Sequence, residues 1–179
     1  MLAEFRWTAL PELYTSRLHL RALTERDRSD LLAIYGDAEV MRYTSDPPFR
    51  ELAYVDQMLA SVAKLFTERQ SVEWGVTLRD THRVIGTCGL HSFDAETESA
   101  EIGCILNRVY WGQGLMREEL EAVIMFGFER LDLHTICADI DVPNHRSIRL
   151  FQRLHFQQEQ PNSTIYLRQN PTLKAKPKQ

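Results

Sequence analysis

Two adjoining stretches decide how this chain folds: Ala100-Glu101-Ile102-Gly103-Cys104-Ile105-Leu106 and Tyr110-Trp111-Gly112-Gln113-Gly114-Leu115-Met116. The first is an apolar run of strand length. The second is a turn whose two glycines stand just before Leu120, Val123, Ile124, Phe126 and Phe128, the broad apolar face of a helix expected to end near Arg130. A strand, a turn and a helix in succession begin a crossover, and the strand that completes it is predicted at 135–140.

Working outward, Trp74-Gly75-Val76-Thr77-Leu78 and Val84-Ile85-Gly86-Thr87-Cys88-Gly89-Leu90 flank the polar segment 79–83 and predict a hairpin, followed by a polar loop over 92–99. Asp46-Pro47-Pro48 breaks the chain, after which Leu52, Val55, Leu59, Val62 and Phe66 recur at three or four residues and predict an amphipathic helix over 51–68. Near the start, residues 18–23 alternate like a half-buried strand. Thr24-Glu25-Arg26-Asp27 then caps a helix carrying Leu31, Leu32, Ile34 and Tyr35. Beyond the crossover come a turn at Val142-Pro143-Asn144, a short helix over 147–154 and a last strand over 164–167. The order β-α-α-β-β-β-α-β-α-β predicts an α+β, or mixed α/β, sheet with helices on its faces.

A chain of 179 residues, 44% hydrophobic and 26% charged, fits one domain able to bury about 70% of its unfolded surface. A single domain is expected over 1–169, with a flexible polar tail over 170–179 that carries Lys174, Lys176 and Lys178. The net charge of −4 leaves nothing global to attract DNA or an anionic membrane, so any phosphate must be held locally. Cys88, Cys104 and Cys137 are odd in number and set in apolar stretches, which fits buried thiols in a reducing compartment better than a disulfide frame or a zinc site. Residues 1–10 lack the apolar core of a signal peptide, and no stretch approaches the ~18 apolar residues of a membrane span, so a cytoplasmic protein is expected.

A helix N-terminus offers unpaired N–H groups to an anion, and glycine lets the backbone come close. Taken alone, Gly112-Gln113-Gly114 fits a plain tight turn and an anion site equally well, and it satisfies neither of the two common nucleotide-binding fingerprints. Its context adds Asn144-His145-Arg146-Ser147-Ile148-Arg149-Leu150-Phe151 and Leu154-His155-Phe156. Together with Ala100–Leu106 and Tyr110–Met116 these make four separated motifs which, in this order and within a match running from Thr15-Ser16-Arg17-Leu18 to about Leu167, resemble the GNAT superfamily of acetyl-CoA-dependent N-acetyltransferases, in particular its RimJ/RimL-like branch.

The resemblance implies a mostly antiparallel, partly splayed sheet of about six to seven strands flanked by about four helices. It implies acetyl transfer from acetyl-CoA to a primary amine, either a protein N-terminal α-amine or a small molecule, with no metal. The cofactor residues carried over are Cys104, Ile105, Leu106, Gly112, Gln113, Gly114, Leu115, Met116, Arg117, Asn144, Ser147 and Phe151. Backbone N–H groups from Gln113 to Arg117 would hold the pyrophosphate, and the strand ending Cys104-Ile105-Leu106 would pair with the pantetheine arm, with an N–H near Leu106 polarising the thioester. An attacking amine must be neutral, so a base is useful. Glu101 matches the family's glutamate, with Asp139, Asp141, Glu98 and His91 as alternatives. Phe151 stands where many members have a proton-donating tyrosine; the resemblance to the RimJ/RimL-like branch implies that Ser147, three residues after Asn144, is the donor, with Asn144 contacting pantetheine and also suited to cap the short helix.

One departure is His155, which takes the place of the glycine suited to a left-handed helix exit. The acceptor site is expected from the first two helices and the loops around Arg42-Tyr43-Thr44, His91-Ser92-Phe93 and Tyr166, with Trp74 and Trp111 either lining the cleft or in the core. The alternative function is a catalytically silent CoA-binding module of the same fold. No membrane or nucleic-acid partner is expected, and the oligomeric state is open, a homodimer being compatible.

Overall fold

A computed structural model describes residues 7–172. Its strands are β1 (Leu13–Tyr14), β2 (Leu18–Arg21), β3 (Ser71–Leu78), β4 (Val84–Asp94), β5 (Ser99–Leu106), β6 (Thr135–Asp139), β7 (Gln157–Gln158) and β8 (Ile165–Gln169). The helices are α1 (Arg28–Tyr35), α2 (Leu52–Thr67), α3 (Leu115–Arg130) and α4 (His145–Arg153). All eight strands join one sheet in the order β1-β2-β3-β4-β5-β6-β8-β7. The two strands beyond the expected six are two-residue pairs at its edges, too short to leave a periodic signal.

Alternation on the central strands sorts the two faces of the sheet. Val72, Trp74 and Val76 of β3, Cys88 and Leu90 of β4, and Ala100, Ile102 and Leu106 of β5 turn to one face and pack with Leu120, Val123, Ile124 and Phe126 of α3. Trp74 is fully buried there, edge-on to Phe126 at 5.0 Å, with its indole N–H donating to the Pro11 carbonyl at 2.7 Å. It belongs to the core and not to a cleft. A smaller apolar cluster on the opposite face joins Leu31 and Ile34 of α1 and Val55 of α2 to Val84.

Every neighbouring pair is antiparallel except β5 and β6, which run parallel because α3 carries the chain back. Their pairing covers only Ser99–Thr135, Ala100–Ile136 and Glu101–Cys137, after which the strands part. The sheet is therefore splayed beyond Glu101.

Three expectations need correction. His91, Ser92 and Phe93 are not in a loop: β4 runs on to Asp94, bending at Ser92, where φ is +51° and the register with β5 slips between His91 and Asp94. Tyr166 is buried in the core, and α2 lines neither of the two cavities described below. His155 adopts the left-handed φ (+65°) that its position demands, so the helix exits as a glycine would allow. The Phe156 N–H donates to the Phe151 carbonyl at 3.0 Å, and the two rings meet edge-on at 5.0 Å, keeping α4 in register. Asn170 is buried and donates to the Leu133 carbonyl at 3.2 Å; the tail lysines lie outside the described residues.

Candidate active site

The turn after β5 is shaped by its own backbone. Gly112 and Gly114 both have φ of +78°, a conformation that favours glycine, and Gly114 caps α3, so the first N–H groups of that helix open outward. Contacts from across the chain hold the turn in place. Glu118, in the first turn of α3, accepts from Thr15 Oγ1 (2.5 Å), Ser16 Oγ (3.0 Å), the Arg17 backbone N–H (2.8 Å) and Arg17 Nε (2.7 Å). Arg17 also donates to the Gln113 carbonyl at 2.9 Å. Burial alone would raise the Glu118 carboxyl, but these hydrogen bonds outweigh it and hold the group down at about 2.

The strand beside the turn offers a free edge. The Asn107 N–H bonds the Ile85 carbonyl on β4, so residues 103, 105 and 107 face β4 with their hydrogen-bonding groups. By alternation, Ile102, Cys104 and Leu106 turn theirs toward the gap left by β6. Trp111 Nε1 takes the Leu106 carbonyl at 2.7 Å.

A cleft of about 550 Å³ runs over this edge and the glycine turn to α4. Cys104, Ile105, Leu106, Gly112, Gly114, Leu115, Met116, Arg117, Asn144 and Ser147 line it, while the Gln113 side chain turns back to the Val109 carbonyl. The cleft is basic: Arg42, Arg117, Arg146, Arg149 and Arg153 face it against Glu39 alone among acidic groups. The Arg146 guanidinium stacks on Trp111, 4.3 Å from the ring centre, which places Trp111 in the cleft wall.

A second cavity of about 340 Å³ adjoins the cleft, lined by residues of β5 and β6 beyond the point where they part. Its charge is opposite: Glu73, Glu101, Asp139 and Asp141 line it, with His91 and without a lysine or arginine. Glu101 and His91 are cross-strand partners on β5 and β4. Phe151, 3% exposed, belongs to the core and shows its edge to this second cavity. Of the alternative bases, Glu98 sits elsewhere, in the β4–β5 turn against His134 Nδ1 at 2.7 Å.

The two cavities share Tyr43, Thr44, Cys104, Ile105, Asn144 and Ser147. Asn144 caps α4, its Oδ1 accepting the Ser147 N–H at 3.2 Å, and this fixes Ser147 in the first turn where the cavities meet. Glu73 and Thr87 escaped the sequence reading. Both lie on strand faces opposite the main core, a placement that only strand register reveals. The Glu73 carboxyl is hydrogen-bonded to Thr87, and burial pushes it up to about 7.

Cys88 is buried and Cys104 and Cys137 partly so, and desolvation raises Cys88 and Cys104 well above the ordinary range and Cys137 to about 11. Among the described residues no helix is long and apolar enough to cross a membrane.

Residues 17–157 match the family described as "Acetyltransferase (GNAT) domain". The chain is 36% identical over 147 residues to the uncharacterized N-acetyltransferase p20 of Bacillus licheniformis, covering 82% of this chain and 83% of that one. In fold it is similar to RimL, described as a ribosomal L7/L12 α-N-protein acetyltransferase in complex with coenzyme A (TM-score 0.78, 18% identity, 89% and 98% of the two chains). It is also similar to the spermidine N-acetyltransferase from Vibrio cholerae in complex with CoA and spermine (TM-score 0.71, 22% identity, 82% and 84%).

Proposed function

Because this chain belongs to the GNAT acetyltransferases, we propose that its basic cleft takes acetyl-CoA and its acidic cavity takes a primary amine, which leaves acetylated. One observation carries this reading: a continuous groove changes sign from five arginines to four carboxylates, and the change falls at Asn144 and Ser147. A polyphosphate at one end and an ammonium at the other are the ligands that such a groove favours.

The residues fit the cosubstrate. N–H groups at the start of α3, framed by two glycines at positive φ, hold the pyrophosphate without a basic side chain, and the arginines of α4 supply further charge. The outward groups of Cys104 and the N–H of Leu106, whose carbonyl is held by Trp111, pair with the pantetheine arm, which brings the thioester to the junction of the cavities. Glu101 draws the acceptor's ammonium in and accepts its proton, directly or through water. The amine nitrogen then bonds to the thioester carbonyl carbon, the C–S bond breaks, and the Ser147 hydroxyl donates a proton to the departing sulfur while the proton released by the new amide nitrogen restores the hydroxyl.

The ribosomal-protein and spermidine enzymes of this fold offer two acceptor types to try, a peptide N-terminus and a small amine. Calorimetry with CoA and acetyl-CoA tests the basic cleft first, with wild type beside Gly114→Trp. Saturable binding by wild type and a loss of at least about 100-fold in the folded variant are expected, since the indole fills the approach to the helix N-terminus. Equal binding by both proteins would place the cosubstrate elsewhere.

A further inference from the structure

Four buried or half-buried carboxylates elsewhere in the molecule meet arginines, and Glu98 meets His134. Asp27 pairs with Arg21 at 2.8 Å, Asp30 with Arg83 at 2.6 Å, Asp37 with Arg108 at 2.8 Å and Glu118 with Arg17 at 2.6 Å. Glu73 has no cationic partner among the described residues. Its placement is nevertheless built with care. The carboxyl lies directly over Gly89, where a Cβ would collide with it. Thr87 hydrogen-bonds to it, and the Tyr35 hydroxyl lies 2.8 Å from Thr87 Oγ1. The Tyr35 and Thr87 hydroxyls share a hydrogen bond in which either can donate, and with Gly89 beneath it the carboxyl is turned into the second cavity, which it lines.

An aimed, half-buried carboxylate without a protein cation is half of an ion pair. Register supplies the geometry. Glu73 lies opposite Gly89 and Glu101 opposite His91, so the two glutamates stand on one face, two strands apart and offset by two residues. Strand spacing and rise give a Cα separation of about 12 Å, which two inward-reaching side chains reduce to the span of a short diamine. Between them the floor is Gly89 and Gly103; a Cβ on Gly103 would meet only His91, at 3.4 Å.

We infer that Glu73 is a specificity-determining residue whose carboxylate binds a second cationic group of the acceptor, so that the preferred acceptors are short α,ω-diamines. One amine reacts beside Glu101 while the other ammonium rests on Glu73. This rests on the reading of the second cavity as the acceptor site. The raised carboxyl is consistent with it, because burial disfavours the anion until a cation arrives.

The test compares butane-1,4-diamine with butan-1-amine, which has the same carbon chain and lacks the second ammonium, by CoA release from acetyl-CoA with wild type, Glu73→Gln and Glu73→Asp. Wild type is expected to prefer the diamine by about 10- to 100-fold in kcat/KM, the range of a hydrogen-bonded charge pair. Glu73→Gln should bring that ratio close to one by raising KM for the diamine, with kcat at saturation changed far less, and Glu73→Asp should restore part of the preference. Thermal melts confirm that both variants fold. Equal use of the two amines by wild type, or an equal loss on both in Glu73→Gln, overturns the inference. A peptide N-terminal amine is run in parallel. If it is acetylated and neither small amine is, the inference falls and the proposed function stands; if nothing is acetylated by protein that binds acetyl-CoA, the proposed function falls with it.

Discussion

The two halves of the groove are made from different materials. The basic half rests on backbone: two glycines at positive φ, the open start of α3 and the unpaired edge of β5. The acidic half rests on side chains: Glu73 of β3 and Glu101 of β5 on one face of the sheet, Asp139 at the end of β6 and Asp141 just beyond it. Backbone donors survive most substitutions around them, whereas a carboxylate is lost with a single exchange. Cofactor binding should thus be tolerant except at glycine, and acceptor chemistry should be fragile at a few positions.

The sharpest division of the halves comes from Glu101→Gln. The amide keeps the shape of the side chain but cannot take a proton, so kcat for amine acetylation should fall by about 10²- to 10⁴-fold. The CoA affinity measured by calorimetry should stay within about twofold, because the cosubstrate is held by groups on the other side of Ser147. A parallel loss of CoA affinity would erase the distinction between the halves.

The same division explains what the sequence disclosed. Gly112, Gly114 and the apolar face of α3 are contiguous, as are Asn144 and Ser147, so a turn, a helix start and a cap could be read residue by residue. The splay of β5 from β6 is expected from the family resemblance and not from any local pattern. Glu73 could not be read: its role depends on Gly89 lying opposite it, on Thr87 one strand away and on Tyr35 at the end of α1. His91 was placed in a loop because Ser92, Asp94 and Glu96 look like loop residues, while the bend at Ser92 keeps the strand going. Arg17 and Glu118 are 101 residues apart, and no local pattern links them.

That long-range pair fixes the backbone half, and it can be broken without touching a proposed ligand group. The Glu118 carboxyl sits at about 2 when folded, against an ordinary 4.5. A depressed carboxyl stabilises the fold above its unfolded value and loses that contribution as pH falls from about 4.5 to about 2. The shift corresponds to about 3 kcal/mol as an upper bound, the side chain being 16% exposed. Urea titrations should find Glu118→Gln less stable than wild type by about 2–3 kcal/mol at pH 7, with the difference closing toward pH 2. A pH-independent difference would mean that packing, not the ionised contacts with Arg17, accounts for the loss.

The smallest effect belongs to the next residue, Glu119, which faces the interior between α3 and the sheet. It is fully buried, and neither carboxyl oxygen has a hydrogen-bond partner among the described residues. Desolvation, reinforced by the negative field of Glu73, raises its carboxyl well above the ordinary range, so folding favours the neutral acid over the anion. The sign is therefore the reverse of Glu118: the contribution is fully present below the unfolded value near 4.5 and falls as pH rises toward the folded one. Glu119→Met replaces the acid with an apolar chain of similar length and removes the unsatisfied group, which should stabilise the fold by about 1–2 kcal/mol at pH 7.5. Tm should rise by a few degrees, about 2–4 °C for each kcal/mol, and the gain should shrink below pH 5. CoA affinity should hold steady, since the residue meets the groove only through the core beneath Cys104. A destabilised variant would show that the buried acid has a partner or a purpose in the core, and a weakened CoA affinity would show that the backbone half depends on packing behind the strand as well as on its free edge.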